Sequence, residues 1–184
     1  MIEIERKFRL SPEQKSGIEQ TLRADHGQLE TLHQVDQVFL RSMDSFAEFI
    51  RGEPVVRLRT TNGKTTFAYK RSINEAGDTV EHELTVSSAE TMAAILKEMD
   101  YRPVTTVIKD RTIAKAGELA IMLDSVVDAG DFLEIEVLAT DESEQPAIEQ
   151  QIMNKAAEFG LTASHIEPRK YDQLVSMPSG PGAS

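Results

Sequence analysis

The chain opens on Glu3-Ile4-Glu5-Arg6-Lys7, and residue types at that spacing can do chemistry. Side chains two apart in a strand share a face, so Glu3, Glu5 and Lys7 lie on one side and Ile2, Ile4 and Phe8 on the other. The arrangement recurs with Arg57 and Arg59 against Val56 and Leu58, and with Lys70 and Ala68 against Phe67 and Tyr69. It recurs again with Glu81 and Glu83 against Val80 and Leu84, Lys109 and Arg111 around Ile108, and Glu134 and Glu136 against Ile135 and Val137; Asp124 extends the set beside Ile121 and Leu123. Carboxylates hold a hard cation, while Arg and Lys hold phosphate oxygens. The chemistry these faces suit is therefore binding of a polyphosphate together with a divalent metal.

One such strand by itself is ordinarily half of a buried sheet with a solvated outer face. Here the strands pair like with like: Glu with Glu, Arg with Arg, Lys with Arg. Adjacent like charges lower stability unless a charge of opposite sign sits between them. A metal–polyphosphate complex supplies both signs in one cavity.

The elements that must position these residues are also legible. Ser11-Pro12-Glu13 gives an N-cap, a first-turn proline and an early acid, with Ile18 and Leu22 as an apolar stripe ending near Gly27. A second helix is predicted from Ser87 or Ser88 through Met92, Ile95, Leu96 and Met99, and a third over about 144–159, stopped by Gly160. A short fourth follows Pro168. Turn signals at Asn62-Gly63, Ala76-Gly77-Asp78, Ala116-Gly117 and Ala129-Gly130-Asp131 separate the alternating segments, which read as strands. Glu3-x-Glu5 and Glu81-x-Glu83 each lead into a Ser-initiated helix, which suggests two similar halves of one sheet around a common centre. The predicted fold class is α+β: a closed eight-stranded antiparallel β-barrel, ionic faces inward and apolar faces outward under amphipathic helices. Residues 1–176 form one domain, and the Pro- and Gly-rich 177–184 a disordered tail.

Composition narrows the partners. The 184 residues carry a net charge of −11, which repels nucleic acid and anionic membranes, so an anionic ligand needs a local basic site. There is no Cys, hence no disulfide and no thiolate metal site. A charged N-terminus with no long apolar run reads as a cytoplasmic protein without a membrane span, a monomer or homodimer.

Taken in order, Glu3-Ile4-Glu5-Arg6-Lys7, Arg57-Leu58-Arg59, Lys70, Glu81-His82-Glu83, Lys109-Asp110-Arg111, Asp124 and Glu134-Ile135-Glu136 resemble the CYTH superfamily, the triphosphate tunnel metalloenzymes. The resemblance spans about residues 1–176. It implies a tunnel holding a nucleoside triphosphate or inorganic polyphosphate with Mg²⁺ or Mn²⁺. By position Lys7, Arg57, Arg59, Lys70, Lys109 and Arg111 would be phosphate ligands and Glu3, Glu5, Glu134 and Glu136 metal ligands. Glu81, Glu83 and Asp124 would support the substrate-binding and catalytic set, whose reacting end would comprise Glu5, Lys7, Arg111, Asp124 and Glu134. The segments 129–136 and 167–174 look most like the class IV adenylate cyclases, which form cyclic AMP and pyrophosphate from ATP. The alternative is an inorganic or thiamine triphosphatase with the same charged set. A non-catalytic polyphosphate binder is disfavoured, because a pure anion site gains nothing from carboxylates unless metal is present.

His26, His33, His82 and His165 are scattered and read as local packing or hydrogen-bonding residues. Arg169 and Tyr171 lie within reach of a tunnel mouth, but the expectation for their segment is simple docking on the barrel.

Overall fold

The computed structural model describes residues 2–50, 52–73 and 78–176. The tail predicted at 177–184, and Ala76-Gly77 of one turn signal, lie outside the described residues.

Eight strands close into an antiparallel barrel in the order β1-β5-β4-β3-β2-β6-β7-β8. They are β1 (Ile2–Leu10), β2 (Glu30–Arg41), β3 (Val55–Thr61), β4 (Lys64–Ser72), β5 (Thr79–Val86), β6 (Tyr101–Ala116), β7 (Leu119–Val126) and β8 (Gly130–Ala139). Replacing each strand by the one four places away in the chain leaves this order unchanged, so β1–β4 and β5–β8 are related by a topological twofold. That is the relation the repeated Glu-x-Glu suggests, with α1 (Pro12–His26) following β1 and α2 (Ala89–Glu98) following β5.

Local chemistry sets the element ends. Ser11 and Gln14 form a reciprocal capping box at α1, and Ser88 accepts a hydrogen bond from the Thr91 amide at α2. Asn62 and Gly63 both have positive φ, at 50° and 76°, as a two-residue hairpin turn between twisted strands requires. α3 (Gln145–Glu158) ends just before Gly160, whose φ is 73°.

The apolar faces point outward and the helices cover them. Ile18 and Leu22 of α1 and Ile148, Ile152 and Ala156 of α3 pack on Ile4, Phe8, Ile121, Leu133 and Ile135. Leu96 of α2 packs with Phe39, Val56, Leu58 and Tyr101. A register shift between Val38 and Phe39, opposite β6, reverses the facing of β6. Tyr101 therefore lies under α2 outside the barrel, while Lys109, eight residues on, lines its interior.

Among the described residues, the seam between β1 and β5 pairs only Ile2 with Val80 and Glu3 with Thr79. Outside it, the buried Arg6 donates to Asp78 at 2.9 Å and to Glu149 of α3 at 2.7 Å, a clasp beside that short ladder. α4 (Tyr171–Ser176) sits at one end of the barrel, where Tyr171 and Leu174 pack with Val107, Val126 and Phe132.

Candidate active site in the barrel interior

A cavity of about 540 Å³ runs inside the barrel. Of the thirteen residues expected at the site, Glu3, Glu5, Lys7, Arg57, Arg59, Lys70, Glu81, Glu83, Lys109, Arg111, Glu134 and Glu136 line it. The strand pleat does this: the inward parity of each strand carries the charges. Asp124, 0% exposed, lies behind the cations, where it accepts from Arg111 Nε at 2.7 Å and Lys109 Nζ at 3.2 Å.

The cavity walls are an alternation of ion pairs. Arg111 also pairs with Glu134. Arg59 forms a two-point pair with Asp36, both contacts at 2.7 Å, and Arg57 contacts Glu81 at 3.2 Å and Glu83 at 3.5 Å. Lys70 bridges Glu3 and Glu81, each at 2.8 Å, and Thr79 Oγ1 donates to Glu3 at 2.9 Å. Among the described residues the buried Arg57 Nε has no hydrogen-bond partner, so the guanidinium retains donor capacity toward an anion.

Glu3, Glu5 and Glu136 converge: each offers a carboxylate oxygen, and these oxygens lie within 4.8 Å of one another. An all-oxygen set on that scale fits a hard divalent cation. Glu134, one inward position earlier on β8, is engaged by Arg111 instead. The electrostatics carry the mark of crowded negative charge. Burial, then the charges of Glu3 and Glu5, push the Glu136 carboxyl up to about 8. Burial also opposes ionisation of Glu5, but Lys170, Lys70 and Lys7 outweigh it and hold that carboxyl well below the usual range. Asp124 is held at about 2 by Arg111 and Lys109 against its burial, whereas burial and Arg111 bring Lys109 down to about 8.

Two contributors, Asp36 and Lys170, escape the sequence reading, and a third, Tyr171, is read there as within reach of a tunnel mouth but expected only to dock. Asp36 is a lone acid between Val35 and Gln37, without the like-charged neighbour that marks the other strands; its period-two relation to Val38 is the only signal it carries. Lys170 and Tyr171 belong to the C-terminal segment, and the expectation of simple docking is corrected there. The Tyr171 ring lies 4.4 Å from Lys7 Nζ and 4.7 Å from Lys109 Nζ, and Lys170 Nζ donates to Glu5. The segment enters the cavity because β1 tethers it: Glu167 N donates to Lys7 O at 2.8 Å, and Ile166 bridges Phe8. Arg169 stays outside on Glu167 at 2.8 Å. None of the four histidines lines the cavity; His82 faces outward beside Tyr69, the rings 6.4 Å apart.

The CYTH domain profile matches residues 1–171. Adenylate cyclase CyaB of Aeromonas hydrophila is 30% identical over 89 residues, an alignment covering 48% of this chain and 47% of that protein. The MJ0240 protein of Methanocaldococcus jannaschii is 24% identical over 176 residues, covering 95% of this chain and 98% of its own. Among solved structures, the PH1012 protein of Pyrococcus horikoshii OT3 superposes with a TM-score of 0.77 at 26% identity, covering 94% of this chain and 99% of that one.

Proposed function

The chain belongs to the CYTH domain family, and from that premise we propose that it is a metal-dependent, triphosphate-processing enzyme that converts ATP to cyclic AMP and pyrophosphate. The observation that carries this reading is one cavity in which the Glu3–Glu5–Glu136 carboxylates adjoin the cations Lys7, Arg57, Arg59, Lys70, Lys109 and Arg111. The choice of cyclisation over hydrolysis follows the similarity to CyaB.

Glu3, Glu5 and Glu136 would hold Mg²⁺ or Mn²⁺, with Glu134 as the fourth carboxylate of the set. Such an ion, when bound, polarises a phosphoryl oxygen and lowers the pKa of a coordinated hydroxyl. The remaining work falls to the chain. Arg57, Arg59 and Arg111 exchange Glu81, Asp36 and Glu134 for phosphate oxygens, and Lys109 adds its remaining donors while it stays on Asp124, which offsets the cost of desolvating the triphosphate. Asp124, fixed behind Lys109 and Arg111, keeps both cations aimed into the cavity as charge gathers on the leaving pyrophosphate. In the reaction the ribose 3′-oxygen bonds to the α-phosphorus, the bond from that phosphorus to the pyrophosphate oxygen breaks with its electron pair leaving on pyrophosphate, and the hydroxyl proton passes to solvent water. In-line attack needs the nucleophile about 3–3.5 Å from phosphorus, so the position of the triphosphate along the basic ladder selects the reacting phosphorus.

The test is product analysis with ATP and with tripolyphosphate, each under Mg²⁺ and Mn²⁺. Cyclic AMP and pyrophosphate from ATP are expected. Orthophosphate from tripolyphosphate, with no cyclic nucleotide from ATP at high enzyme concentration, would replace the cyclase reading with that of a triphosphatase.

A further inference from the structure

Among the described residues, Lys170 is the one cavity cation that no barrel strand supplies. It stands at the start of α4, where its backbone N donates to Gln173 Oε1 at 3.1 Å and its carbonyl accepts from Leu174 N at 3.0 Å. The backbone there is pinned by Tyr171 and Leu174 against Val107, Val126 and Phe132. Only the side chain is free to choose a partner, and it reaches inward to donate to Glu5.

Glu5 belongs to the carboxylate trio, and the three members are served unequally. Glu3 has Lys70 at 2.8 Å and Glu5 has Lys170, while Glu136 makes no ion pair among the described residues. A divalent ion on the trio would bring its charge against an ammonium already bound to one of its ligands. Cations at that separation repel strongly inside a protein, and the flexible four-carbon stem of lysine can give way where the strand carboxylates cannot. A lysine leaving Glu5 enters the same cavity as Lys7, Arg57 and Lys109.

We infer that Lys170 is an internal stand-in for the divalent cation: it neutralises Glu5 in the metal-free chain, and metal binding displaces its ammonium from Glu5 to a triphosphate bound in the cavity. The inference rests on the tunnel reading above and makes Lys170 a substrate-binding residue that couples the two ligands. The coupling is reciprocal, since whatever metal does for triphosphate affinity, triphosphate does for metal affinity. The charges of the barrel strands bind each ligand, and Lys170 couples their affinities.

Calorimetric titration with Mn²⁺ alone, without nucleotide, tests this on the full chain and on the K170M, K170R and E136Q variants. K170M should bind Mn²⁺ about tenfold more tightly than wild type, with K170R close to wild type. At saturating Mn²⁺, K170M should bind a non-hydrolysable imidotriphosphate nucleotide about tenfold more weakly. Mn²⁺ affinity in K170M equal to or below that of wild type would overturn the inference while leaving the tunnel reading intact. Wild type and E136Q binding Mn²⁺ alike would overturn both. Should K170M not fold, ¹⁵N spectra of the lysine ammonium groups of wild type serve instead: the Lys170 resonance, assigned by its absence from the K170R spectrum, must move when Mg²⁺ is added, and its staying in place while that of Lys70 moves overturns the proposal.

Discussion

Glu5 and Glu136 are direct cross-strand partners in the β1–β8 ladder, both facing the cavity. Like charges placed directly opposite each other cost a sheet stability, about 0.2–1 kcal/mol for an ordinary pair. A pairing of that kind persists where a cation between the two repays it.

The first prediction follows from that pair. Above pH 8, where the Glu136 carboxyl is ionised, Glu136→Gln removes one of the two charges, so the metal-free variant should melt about 1–4 °C above the metal-free wild type. The same variant should lose most of the thermal stabilisation that Mn²⁺ gives the wild type, and most of its turnover. Melting curves with and without Mn²⁺ check this. A variant that melts lower without metal yet is still stabilised by Mn²⁺ as strongly as wild type would remove Glu136 from the metal site.

The same carboxyl sets a pH dependence. Its value in the folded, metal-free chain is about 8, against an ordinary 4.5. Between those values the folded chain holds a proton that the unfolded chain has released, so this contribution to stability is complete below about pH 4.5 and is lost as pH rises through 8. Metal must displace that proton. Mn²⁺ affinity should therefore climb with pH, by up to about tenfold per unit, and level off above pH 8. Titrations at pH 6.5 in two buffers of different ionisation heat would count the released protons, and a count near zero would contradict the assignment.

Asp124 offers a contrast between buried and exposed charge. Asp124→Ala strands Lys109 and Arg111 without their shared carboxylate, and breaking a buried network of this type costs about 3–5 kcal/mol, a fall in Tm on the order of 10 °C. Glu83→Ala, at a side chain 46% exposed, should change stability by less than about 0.5 kcal/mol. Thermal melts of the two variants should differ accordingly. Since Asp124 sits at about 2, its stabilisation is present at neutral pH and fades only as pH falls below the ordinary aspartate value toward 2.

Tyr171 tests the role of the C-terminal segment. Its ring faces Lys7 at 4.4 Å and Lys109 at 4.7 Å and meets Phe132 with ring centroids 5.1 Å apart. Tyr171→Phe keeps the ring and should leave KM for ATP within about threefold of wild type. Tyr171→Ala releases both ammoniums, each held by about 0.5–2 kcal/mol, and should raise KM roughly tenfold. Steady-state kinetics on the two variants decide it; equal losses would shift the role from the ring to the hydroxyl beside Asp124.

Sequence alone determined the parity of the charged strands. A period of two is a local property, so Glu3, Glu5 and Lys7 share a face whatever surrounds them, and so do Arg57 with Arg59 and Glu134 with Glu136. Helix ends were equally local, because Ser11, Ser88 and Gly160 act through their own backbone neighbours. The tertiary structure decided which charges meet. Strand order in a closed barrel puts Arg59 on Asp36 and draws Glu136, but not Glu134, to Glu3 and Glu5. Asp36 carried only its strand parity, since a single acid among neutral residues acquires meaning from the arginine across the ladder. Lys170 and Tyr171 entered the site through long-range packing of Leu174 and Ile166 on the barrel, contacts that join residues far apart in the chain and leave no periodicity behind.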